Sequence, residues 1–151
     1  MGTVTEQTLV LIVTNNAAAT CSAAQTASAS GGLWSYENVT ALTFTLNASS
    51  AIRSGTYAIE GGESGSSEAK YTVGDAMCAQ ASLASATSGS VTVSAISAEA
   101  VSGSFDVTFG ANPYAPEAPR GHVTGSFSIP ICPLPNGQPL AITGSGPFCQ
   151  Q

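Results

Sequence analysis

The sequence predicts an all-β domain: an antiparallel meander forming a β-sandwich or an up-and-down β-barrel, with at most one short helix. Three observations carry this. Apolar and hydroxyl-bearing residues alternate with period two along several segments, Gly-, Ser- and Pro-rich spacers separate those segments, and only 8% of the 151 residues are charged. The length suits a single domain over 1–151, with residues 1–7 as a leader and 133–151 as an extended tail.

Taken in order, residues 9–13 form an uninterrupted aliphatic run, which predicts a strand covered on both faces. The Ala-rich tract at 17–25, ended by Gly31 and Gly32, fits either a short helix or a small-residue loop pinned by Cys21. Residues 40–46 alternate, with Leu42, Phe44 and Leu46 on one face and Thr43 and Thr45 on the other. Shorter strands follow at 55–60 (Tyr57 and Ile59 inward), 69–74 (Tyr71 and Val73 inward) and 90–96 (Val91 and Val93 inward). Alternation is clearest at 104–109, where Phe105, Val107 and Phe109 share a face. It returns at 122–131, with Val123, Phe127, Ile129 and Ile131 inward. Turn-rich segments at 61–67, 97–103 and 110–120 join these seven strands. Pro133, Pro135, Pro139 and Pro147 predict an extended tail.

Composition excludes several functions. Nine acidic residues against three basic ones (Arg53, Lys70, Arg120) give a net charge of −6, which repels phosphate backbones and leaves nucleic acid without a docking surface. No run is long enough for a transmembrane helix. The four cysteines, Cys21, Cys78, Cys132 and Cys149, are widely spaced and share one histidine, which argues against zinc and for two disulfides in an oxidising compartment. Three pairings are open. A meander places Cys78 and Cys132 at opposite ends of the sheet, which disfavours joining them; of the two pairings that remain, Cys21 with Cys78 and Cys132 with Cys149 is slightly preferred. Residues 1–3 lack a basic and an apolar region, so they read as a start that replaces a removed export signal.

From residue 54 onward the order of short motifs is distinctive. Ser54-Gly55-Thr56-Tyr57 leads to Tyr71-Thr72-Val73-Gly74-Asp75-Ala76 before Cys78, then to Ser88-Gly89-Ser90-Val91-Thr92-Val93. The segments 101–109 and 122–127 complete it, and the opening strand runs through Thr14-Asn15-Asn16 to Cys21. This order resembles a family of small exported β-domains in predicted lipoproteins of myxobacteria and related bacteria. The resemblance implies an envelope location and this fold, and it carries no catalytic residues, since the family has no assigned activity. The chain departs from the family in the long loop at 110–120 before His122.

Candidate sites are few. If Phe109 pairs near Gly121, His122 faces Thr108 and lies diagonal to Asp106 on the solvent face, near Ser104, Thr124 and Ser126. A hydrolase would need a nucleophile elbow or oxyanion motif, and the sequence has none, so a polar cross-strand contact is the preferred reading. Glu60, Glu63, Glu68 and Asp75 flank a Gly/Ser loop in a manner that admits calcium, but without a calcium-loop pattern they read as solvated. Trp34 and Tyr36, together with Tyr114, offer amphipathic platforms for stacking on sugar rings, with a core or core-edge place the preferred reading for Trp34. Tyr114, held between Pro113 and Pro116 in a stiffened loop that ends at Arg120 and His122, is the preferred contact surface. Asn38 and Asn47 match the glycosylation pattern, which is without meaning in a bacterial envelope. The expectation is a non-catalytic structural or recognition module with an envelope or extracellular partner, needing no cofactor or metal. The rivals are an apolar-ligand carrier lined by Phe44, Phe105, Phe109 and Phe127, and a hydrolase using His122 and Asp106.

Overall fold

A computed structural model describes residues 8–14, 40–61, 66–74, 80–113, 120–133 and 139–143. These form eight strands: β1 (Thr8–Thr14), β2 (Thr40–Asn47), β3 (Gly55–Glu60), β4 (Glu68–Gly74), β5 (Gln80–Ile96), β6 (Ala100–Phe109), β7 (Gly121–Pro133) and β8 (Pro139–Thr143). The described residues contain no helix. The tract at 17–25 lies outside them.

Seven strands close a circuit in the order β5-β4-β2-β1-β8-β7-β6, with β5 and β6 paired to complete it. All pairs are antiparallel except β1 with β8. That exception follows from counting: an odd number of alternating strands closes into a ring only if one neighbouring pair runs parallel. The result is barrel-like, an all-β fold as expected. The departure from a simple meander is β3, which leaves chain order and lies against Ser88–Val93 of β5.

Two long strands turn the corners. β5 pairs with β4 over its first residues and with β6 and β3 beyond, the change falling at a bulge between Ala86 and Ser88. Gly89, at φ 135°, follows that bulge, and a Cβ there would stand 2.3 Å from the Asp106 carbonyl oxygen. β7 likewise leaves β6 at Pro130 and meets β8 through Ile131–Pro133. Two elements exceed the expectation. β5 begins ten residues early, through the small residues of 80–89, and β8 forms inside the segment read as an extended tail, with Pro139 at its first position.

The core is the alternation made solid. Leu9, Leu11, Phe44, Leu46, Ile59, Val91, Val93, Val107, Phe109 and Ile129 are buried, while Leu42, Tyr57, Tyr71, Val123 and Ile131 pack against them half-buried. In β1 only Leu9 and Leu11 are fully buried; Val10 and Ile12 are half-buried. Phe44 and Phe105 pack as a tilted pair with ring centroids 4.9 Å apart. Phe105 and Phe127 also cover the glycines directly across the ladder, Gly125 and Gly103.

The expected framework of two disulfides is cut back to what the described residues hold. No disulfide joins two described cysteines: Cys132, fully buried, is the one cysteine among them, and although its sulfur is disulfide-bonded, Cys21, Cys78 and Cys149 lie outside the described residues.

Candidate functional site

The outer face of β3, β5, β6 and β7 is a grid set by register. One row runs Thr56, Thr92, Ser104, Ser126; the next Ala58, Ser90, Asp106, Thr124; the third Glu60, Ser88, Thr108, His122. Eight of these twelve positions carry hydroxyls, which is why so weakly charged a chain presents a wet face.

His122 and Asp106 meet on this grid. Phe109 pairs with Gly121 and Thr108 with His122, the register read from the sequence. The bond from Ile131 N–H to Glu99 O, 2.8 Å, fixes the parity of the β6–β7 ladder, so even-numbered residues of β7 sit in the pairs without mutual hydrogen bonds, where side chains approach closest. The imidazole thereby reaches diagonally, and Nε2 lies 2.5 Å from Oδ1 of Asp106. Both side chains are 61% exposed. An ionised carboxylate only accepts, so Nε2 carries the shared hydrogen and Nδ1 is left for any other partner.

No family model, curated protein or solved structure matches the chain. The chemistry therefore rests on the geometry. Asp106 and Ser104 belong to β6, whose two sides are both laddered, by β5 and β7. Backbone donors of β6 are committed to the sheet, so that strand offers none to stabilise an oxyanion. Among the described residues no group of three or more metal-binding side chains is present. Glu68 bonds Lys70 Nζ at 2.8 Å and Glu60 is exposed, while Glu63 and Asp75 lie outside the described residues.

The feet of the 110–120 loop are Pro113 and Arg120, both exposed; Tyr114 and Pro116 lie outside the described residues, as do Trp34, Tyr36 and Asn38. Asn47 is engaged rather than presented. Thr8 Oγ1 donates to its Oδ1 at 2.8 Å, its Nδ2 donates to the Ser66 carbonyl at 2.8 Å, and its N–H donates to Ser67 Oγ at 2.9 Å. Sequence reasoning saw Asn47 as a glycosylation match and missed this knot between β1, β2 and the approach to β4. The signal was a polar residue ending an apolar strand. A cavity of about 200 Å³ lies at the β5–β6 turn, lined by Ala95, Ile96, Ser97, Val101 and Ser128 among others. It falls below the roughly 300 Å³ at which small-molecule pockets begin.

Proposed function

We propose that this chain is a non-catalytic, exported structural or recognition module of a bacterial cell envelope. The observation that carries this reading is the setting of the one imidazole. It is bonded to Asp106 on an open hydroxyl face with both side chains 61% exposed, and the strand that carries Asp106, β6, has its own backbone donors in the sheet. Scarcity of Lys and Arg and a surface solubilised by hydroxyls support export, and the 110–120 loop, through Tyr114, Pro113, Pro116 and Arg120, is the proposed contact. The partner is an envelope or extracellular molecule.

The test is turnover. Ester, peptide, glycoside and phosphate substrates presented to the wild-type protein and to His122→Ala should give no turnover, or identical background. Activity lost in the variant would establish the hydrolase instead. The carrier reading is less favoured because Phe44, Phe105, Phe109 and Phe127 are 0, 8, 1 and 8% exposed and engaged with the core. Native mass spectrometry showing a bound apolar ligand would restore it.

A further inference from the structure

We infer that β7 is a self-association edge, through which two copies of this chain join their sheets antiparallel about a two-fold axis. The inference is independent of the function proposed above. Along residues 121–130, β7 has a ladder partner on its β6 side only, among the described residues. The Ile131 to Glu99 bond settles which groups face outward: odd residues of this stretch turn N–H and C=O to β6, and His122, Thr124, Ser126 and Ser128 turn theirs away from it. Pro130 falls on the outward parity, so the N–H it lacks is one the β6 ladder does not use. That is where a sheet tolerates proline.

The opposite edge of the same face is treated differently. β3 is six residues long, ends in Glu60, and is capped where Glu60 N–H reaches the Ser67 carbonyl and Ser66 Oγ reaches the Glu60 carbonyl. Short length, charge and caps are how proteins blunt an edge. β7 has only Pro130, at the far end of the open stretch: across its thirteen residues the only side chain that can carry charge is His122, which is matched by Asp106.

A second copy is the occupant this edge fits. A two-fold axis at Gly125 would set Thr124 of one copy opposite Ser126 of the other, and His122 opposite Ser128, so outward backbone groups meet outward backbone groups, hydroxyl faces hydroxyl at the first pair and imidazole faces hydroxyl at the second. Each chain carries a net charge of −6, yet this strand brings no carboxylate to the contact. The two four-stranded faces would become one of eight strands, an isologous contact that closes at two copies.

The experiment combines light scattering with amide exchange on the full chain. Wild type should show twice its 15.0 kDa mass at high concentration, with amides of Thr124, Ser126 and Ser128 protected in proportion to dimer. Thr124→Pro removes one outward N–H and leaves the β6 ladder whole. Ser126→Lys places charge at the contact without touching the backbone. Both should return the monomer, with far-UV circular dichroism unchanged; if the first fails to fold, the second decides. A monomeric wild type at its solubility limit, or variants that remain dimeric, would overturn the proposal. Concentration-independent protection of those amides would overturn it too, by showing that the chain covers its own edge.

Discussion

Gly125 shows how closely one residue is specified here. A Cβ at this position would stand 2.5 Å from Cζ of Phe105, the ring that packs on Phe44. Gly125→Ala must therefore displace a core aromatic, and urea denaturation should find it less stable by about 1–3 kcal/mol. Ser126→Ala, one residue along on the wet face, should stay within about 0.5 kcal/mol. The register that pairs Phe109 with Gly121 also sets Phe105 opposite Gly125, but neither alternation nor register says that the ring folds over the glycine, which is a matter of side-chain packing. Register was legible at one place, the hairpin bringing Phe109 to Gly121, and from it the contact of His122 with Asp106 followed. That pair is exposed on both sides, so His122→Ala should alter stability by no more than about 1 kcal/mol in the same titration. The knot at Asn47 is the contrasting case. Ser67 is 4% exposed, and Asn47→Ala removes two side-chain bonds around it, for an expected loss of about 1–3 kcal/mol.

At the scale of elements, the strands easiest to read were those with large apolar residues on alternate positions, such as β2, β6 and β7. β5 was legible only from Ser90, because Ala and Ser fill the stretch before it and small side chains give periodicity nothing to act on. β8 was hidden by its prolines, although Leu140, Ala141 and Ile142 are ordinary strand residues and Pro139 merely occupies the first position. β3 was found but misplaced, since a spacer's length does not say which neighbour a strand chooses. What fixes β3 is the loop before it: Ile52 is buried, and Tyr57 Oη accepts from Arg53 N–H at 2.8 Å and donates to the Arg53 carbonyl at 2.7 Å. The bulge in β5 gives this scale its prediction. Gly89→Ala sets a Cβ against the Asp106 carbonyl at a φ that side chains avoid, and thermal unfolding should show a loss of about 3 kcal/mol or more.

Over the whole molecule, closure is the most distant event in the chain. β1 and β8 pair Val10 with Leu140 and Val13 with Thr143, about 130 residues apart in sequence, and this parallel pair joins the β1-β2-β4 side to the β7-β6 side. β8 also takes the β7 pairings at Ile131 and Cys132, so one five-residue strand holds two seams. If closure rather than local packing makes the fold cooperative, the contribution of β8 exceeds its size. A full-length chain carrying Ala141→Pro, which interrupts β8 between its two neighbours and keeps every cysteine, should then lose several degrees or more of Tm against wild type and unfold broadly, with amides of β1 exchanging first. A variant that melts as sharply and as high as wild type would show that β1 and β7 are held by their other neighbours and that the ring is closed in geometry without being closed in energy.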